Sequence, residues 1–169
     1  MKLPQALIHS HRMNDLVLRF MKGGCMEADN FKSRDSLVQA LHERHSHARV
    51  MLADDSETNQ KVTELMLRAA GLSLDVAPDG AQAVEMAHET HYDLVLMDLE
   101  MPKMDGYTAA RTIRSLPGYA QTPILALTAH VFPKNRQACL EAKMDDFITK
   151  PVRPATLYTV ILKWLDRHD

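Results

Sequence analysis

From Arg49 onward the chain alternates short apolar runs with stretches of helical periodicity. Val50-Met51-Leu52-Ala53, Leu94-Val95-Leu96-Met97 and Ile124-Leu125-Ala126-Leu127 are unbroken apolar runs. Such runs fit strands buried on both faces, as in a parallel sheet covered by helices on either side. Leu72, Leu74 and Val76 instead alternate with Ser73, Asp75 and Ala77. That period of two predicts a half-exposed edge strand. Phe147-Ile148-Thr149 reads as a short final strand.

Helical segments lie between these strands. Ser56 is placed to cap a helix carrying Val62, Leu65, Met66 and Ala69 on one face, with Gly71 as its stop. Asp79 followed by Gln82 resembles a capping box opening a helix through Ala87. Asp105-Gly106 opens a helix with Ala109, Ala110 and Ile113. Pro133 fits the first turn of a helix carrying Ala138 and Leu140, and Pro154 opens a last one with Leu157, Val160, Ile161, Trp164 and Leu165 inward. Strands separated by helices pair in parallel, because parallel neighbours need a crossover. Right-handed crossovers put helices on both faces. The predicted class is therefore α/β, a doubly wound five-stranded parallel sheet with five helices. Central apolar strands and half-polar edges fit the order 2-1-3-4-5, one of the common doubly wound arrangements.

Residues 1–47 read as an extension ahead of a domain spanning 48–169. Leu3, Leu7, Leu16, Val17, Phe20 and Met21 suggest a broken amphipathic helix ending at Gly23-Gly24. A second helix is predicted from residue 33 to residue 45, with Leu37, Val38 and Leu41 apolar. This segment is a candidate arm for docking on a partner or on a second copy, hence a candidate homodimer contact.

Composition narrows the classes. Apolar residues at 46 % supply a core and charged residues at 25 % a solvated surface. A formal net charge of −2 gives no general attraction to nucleic acid or anionic membrane. The cysteines, Cys25 and Cys139, do not form a disulfide framework, and a reducing cytoplasm is the simpler setting. The apolar runs are too short for membrane insertion, and the N-terminus is a poor signal peptide. His9, His11, His42, His45 and His47 cluster early, without carboxylate or cysteine partners at ligand spacing. They read as exposed polar residues.

In open α/β sheets, sites form beyond the carboxyl ends of the strands. Asp54 and Asp55 follow the first strand, Asp98 the third, Thr128 the fourth and Lys150 the fifth. Strands 1, 3 and 4 are expected neighbours, so these residues converge. Close carboxylates repel strongly in a partly dry crevice. A hard divalent cation with oxygen ligands relieves this, and Mg2+ commonly takes one or two carboxylates plus waters. A donor set without His or Cys argues against zinc. An Asp beside Mg2+, a lysine and a hydroxyl suits phosphoryl transfer. The carboxylate attacks to form an acyl phosphate. Cation and lysine neutralise the equatorial oxygens while Thr128 donates a hydrogen bond.

Four motifs stand in order at the strand ends: Asp54-Asp55, Met97-Asp98-Leu99-Glu100-Met101-Pro102-Lys103-Met104-Asp105-Gly106, Leu127-Thr128-Ala129 and Lys150-Pro151. Together they resemble the signature of response-regulator receiver domains of two-component systems, over residues 49–167. Residues 54–59 and 144–151 are similar to the receivers of bacterial hybrid sensor histidine kinases. The resemblance implies a flavodoxin-like fold and a phosphorelay role. Asp98 would be the phospho-acceptor. Asp55, Asp98 and the Glu100 carbonyl would bind Mg2+ directly, and Asp54 through a water. Thr128 and Lys150 would hold the phosphoryl oxygens. Phe147 matches the switch aromatic, turning inward as Thr128 moves toward the phosphate. The Lys150-Pro151 bond would be cis. The implied partners are a sensor histidine kinase or histidine phosphotransfer protein as donor, and a downstream protein partner. The only catalysis implied is self-catalysed phosphate acceptance and autodephosphorylation.

Two residues depart from the pattern. Lys143 stands where a glycine is common, and Glu100 places an extra carboxylate near the site. Two other classes share part of the chemistry. Phosphatases of the haloacid dehalogenase type use an Asp nucleophile early in the chain, with a second Asp two residues on. Here the acidic pair comes first and Glu100 takes that later place. A pseudo-receiver scaffold would not require Asp54, Asp55, Asp98, Thr128 and Lys150 to be intact together.

Overall fold

The computed structural model describes residues 34–130 and 132–167. His9, His11, Cys25 and the helix expected over Leu3 to Met21 lie outside them. The strands are β1 Arg49–Ala53, β2 Ser73–Ala77, β3 Leu94–Asp98, β4 Ile124–Thr128 and β5 Asp146–Thr149. All pair in parallel, in the order β2-β1-β3-β4-β5. The unbroken apolar runs β1, β3 and β4 are the central strands, buried throughout apart from Arg49. Edge strand β2 is only half covered.

Six described helices surround the sheet: α1 Arg34–His45, α2 Glu57–Ala69, α3 Gly80–Glu89, α4 Gly106–Ser115, α5 Pro133–Glu141 and α6 Pro154–Leu165. Alternate strand residues point to opposite faces, so the sheet divides its apolar side chains between two layers. Met51, Val95, Met97 and Ala126 meet α3, α4 and Cys139 of α5. Val50, Leu52, Leu94, Leu96, Leu125 and Leu127 meet α1, α2 and α6. The expected caps are in place. Ser56, Asp79 and Asp105 accept the amides of Asn59, Gln82 and Thr108 through their side chains. Gly71, with φ +76°, ends the turn after α2 in the left-handed region that favours glycine. Among the described residues no helix is long and apolar enough to cross a membrane.

Two helices bury a face one residue out of phase with expectation. In α2 the buried residues are Thr63 and Leu67, followed by Ala70, while Val62 and Leu65 are 44 % and 62 % exposed. A threonine on the inward stripe conceals the phase, because periodicity is read from apolar residues alone. In α5 the buried residue is Cys139, and Ala138 and Leu140 are only half covered. The helix predicted from residue 33 appears as α1, and Leu37 and Leu41 sink into the layer shared with α2 and α6. His45 is not an exposed polar residue. It is 2 % exposed, with Nε2 2.8 Å from Asp166 Oδ1. Arg44 reaches the same carboxylate at 2.9 Å. That carboxylate follows α6, so no local spacing announces it.

Candidate functional site

The register of the central strands decides what converges at their carboxyl ends. β3 ends on Asp98, paired in register with Leu127. Asp54 follows the last residue of β1, which pairs with Met97. One carboxylate oxygen from each of Asp54, Asp55 and Asp98 therefore lies within 4.8 Å of the others. Asp54 is 1 % exposed and Asp98 5 %, whereas Asp55 faces solvent.

Each buried carboxylate has specific donors. The Ser56 amide donates to Asp54 Oδ1 at 2.9 Å, and Asn59 Nδ2 approaches both Asp54 oxygens at 3.3 and 3.4 Å. Gln60 Nε2 donates to the Asp54 carbonyl at 2.6 Å. The first turn of α2 thus fixes Asp54, a role for Asn59 and Gln60 that spacing alone did not reveal. The Glu100 amide donates to Asp98 Oδ1 at 3.1 Å, while the Glu100 side chain is exposed. Gly106 opens α4 directly against Asp98, and a Cβ placed there would run into the Asp98 carbonyl oxygen.

Lys150 crosses from the end of β5. Its Nζ lies 2.6 Å from Asp98 Oδ2 and 2.9 Å from Asp54 Oδ2. Its own amide donates to the Thr128 carbonyl at 2.8 Å, and the following Lys150-Pro151 bond is cis. Burial lifts the Asp98 carboxyl above its usual value, against the opposing pull of the Lys150 amine and the Glu100 amide. Burial alone would lower the Lys150 amine. Hydrogen bonds and attraction from Asp98 and Asp54 outweigh it, and the net displacement is upward.

The remaining expected residues are nearby but otherwise engaged. The Thr128 hydroxyl donates to the His130 carbonyl at 2.8 Å and accepts the His130 amide at 3.1 Å, so it serves its own loop. Phe147 is half-buried against the layer of α3 and α4. Lys143 has φ +56°, which gives the physical reason a glycine suits that position.

One lysine cannot balance three carboxylates, so the cluster retains negative charge that a small hard cation would offset. The donors are all oxygen and one is open to solvent, which fits Mg2+ better than a softer metal.

The family model of the response regulator receiver domain matches residues 50–162. The chain belongs to the response-regulator receiver family. It is 34 % identical over 131 residues to the signal transduction histidine-protein kinase BarA of Escherichia coli K12, covering 78 % of this chain. It is 36 % identical over 119 residues to the sensor protein GacS of Pseudomonas syringae, covering 69 % of this chain. The chain spans only 14 % and 13 % of the lengths of these relatives. Among solved structures, it is similar to the receiver domain of a sensor histidine kinase from Pseudomonas aeruginosa PAO1. Identity is 39 % and the TM-score 0.67, over 70 % of this chain and 98 % of that one. That domain was solved with a magnesium ion coordinated in its active-site cleft. The receiver of this chain is therefore of the kind carried by hybrid kinases, as its motifs imply.

Proposed function

We propose that this receiver accepts a phosphoryl group on Asp98 from a phosphohistidine of a sensor histidine kinase or histidine phosphotransfer protein. The observation that carries the reading is the Lys150 amine seated between Asp98 and Asp54 in a cluster of three carboxylates. A carboxylate oxygen of Asp98 attacks phosphorus. The P–N bond breaks, its electron pair returns to the imidazole nitrogen, and an acyl phosphate remains. Asp55, Asp98 and the Glu100 carbonyl would hold Mg2+, with Asp54 acting through a water. The ion would neutralise charge on the transferred group. Lys150 keeps its positive charge across the physiological range, since its amine is shifted upward. It thus stays available to pair with a phosphoryl oxygen.

The output is a change of surface. Thr128 exchanges the His130 carbonyl for a phosphoryl oxygen, and Phe147 turns further inward, altering the surface of β4, α5, β5 and α6 for a downstream partner. Hydrolysis of the acyl phosphate by water resets the site, and the exposed Glu100 perturbs the attacking water. The setting is cytoplasmic.

The test is phosphotransfer from a phosphorylated histidine phosphotransfer domain with Mg2+. Stoichiometric labelling, absent in Asp98→Asn, supports the reading. Sustained turnover of small phosphate esters would favour the phosphatase class instead. Labelling absent from the parent would leave only a scaffold. Equal decay of the phosphorylated parent and Glu100→Gln would end the proposed role of Glu100.

A further inference from the structure

The loop joining Asp98 to α4 contains a tight turn. The Met104 amide donates to the Pro102 carbonyl at 2.7 Å across Lys103, whose φ is +65°. A hydrogen bond from i+2 to i around a positive φ is the rarer, strained form of γ-turn. A lysine is ill suited to that backbone, and such strain persists only where its surroundings hold it.

The surroundings here are the start of α3. Lys103 Nζ lies 2.5 Å from Asp79 Oδ2, while Asp79 Oδ1 accepts the Gln82 amide at 2.9 Å. The pair is asymmetric: the lysine side chain is 71 % exposed and the aspartate only 5 %. Lys103 therefore reaches from the rim onto a buried carboxylate. The Lys103 amine, and next the Gln82 amide, hold the Asp79 carboxyl below its usual range. The backbones also meet, since a Cβ on Gly80 would run into the Met104 carbonyl oxygen. The same loop is tied to the acceptor at its other end. The Glu100 amide binds Asp98 Oδ1, and the Gly106 amide donates to the Leu99 carbonyl at 3.1 Å.

We propose that the Lys103–Asp79 ion pair is a latch. It holds the turn after Asp98 in its strained shape and so positions the Glu100 carbonyl toward a cation in the acidic cluster. Lys103 and Asp79 are then positioning residues for divalent binding, although neither touches the ion. The inference rests on the reading above, in which Mg2+ occupies that cluster. The competing account makes Asp79 a helix cap and Lys103 an incidental surface partner of little weight.

The two accounts differ in sign. Lys103→Met removes a positive charge near an acidic site. Acting through space alone, that change would tighten Mg2+ binding. Asp79→Asn removes a negative charge and would weaken it. Loss of a latch weakens binding in both variants. Asn is also a good N-cap, so Asp79→Asn keeps the start of α3.

The experiment is calorimetric titration of the full chain with Mg2+, alongside the melting temperature of each variant. Lys103→Met and Asp79→Asn should each raise the Mg2+ dissociation constant about two- to fivefold, the range of a partly exposed ion pair. The double variant should be no weaker than either single one, because both remove the same interaction. Lys103→Arg should restore parental affinity. Parental or tighter binding by Lys103→Met overturns the latch. A parent that binds no Mg2+ overturns the metal reading and the latch with it, a result visible before any variant is measured.

Discussion

Lys150→Met is the most informative single change at the site. The parent amine lies 2.6 Å from Asp98 and 2.9 Å from Asp54, with 19 % of its side chain exposed. At an effective dielectric near 20, each contact is worth on the order of 6 kcal/mol gross. Most of that is offset by the cost of desolvating the three charges. Among the described residues, removing the amine leaves two buried carboxylates held only by amides from Ser56, Asn59 and Glu100. Breaking a buried ion pair from one side costs about 3–5 kcal/mol. Partial exposure of Lys150 and the solvent-facing Asp55 argue for the lower end, about 3 kcal/mol. Urea denaturation of parent and variant in metal-free buffer measures the loss. Saturating MgCl2 should recover most of it, because a divalent cation supplies the missing positive charge. The variant should also bind Mg2+ more tightly than the parent, having lost a competing cation. A metal-free loss below about 1 kcal/mol would refute the electrostatic account, since it would mean the pair contributes no more than a surface one. A full loss that Mg2+ leaves untouched would refute the role given to the ion.

Gly106→Ala should destabilise the fold by about 2–3 kcal/mol in urea denaturation, since its Cβ meets backbone that cannot turn aside. Lys143→Gly should stabilise by about 0.5–1 kcal/mol in the same assay, because Lys143 occupies left-handed backbone. Leu41→Ala should cost about 3 kcal/mol by denaturant midpoint, because α1 is part of the core. A chain truncated to begin at residue 48 should lose comparable stability, and parental stability would show α1 to be dispensable. For pH, the folded Asp98 carboxyl lies above its ordinary 3.8. Its ionisation therefore opposes folding, and stability from this group falls as pH rises from 3.8 through the raised value. Metal-free Asp98→Asn should gain on the parent across that window in unfolding measurements. The raised Lys150 amine has the same sign in a higher window, contributing stability that is lost only as pH climbs past 10.5.

Much of this molecule was legible in the order of its residues. Unbroken runs such as Leu94-Val95-Leu96-Met97 read as strands covered on both sides, and with the half-polar edges they fit a known doubly wound order, which the sheet adopts. Asp54, Asp55, Asp98 and Lys150 were legible because each stands at or just past the carboxyl end of a strand, where a parallel sheet gathers side chains. The phase of α2 was not, because Thr63 supplies an inward position with a polar side chain. The burial of His45 was not, because its partner Asp166 lies at the far end of the fold. Asn59 and Gln60 escaped notice for a similar reason. Their side chains act on Asp54 through the geometry of one helical turn, and amides carry no charge pattern. The pairing of Lys103 with Asp79 needed the backbone itself, since only the folded loop brings them together.

The proposed receiver chemistry depends on Asp98 carrying the phosphoryl group. Incubation of the full chain with acetyl phosphate and Mg2+, followed by intact-mass and peptide mass spectrometry, addresses it directly. The prediction is a single phosphoryl adduct per chain, confined to the peptide containing Asp98, and lost when Mg2+ is chelated beforehand. An adduct on another residue, or one formed equally well by Asp98→Asn, would contradict it.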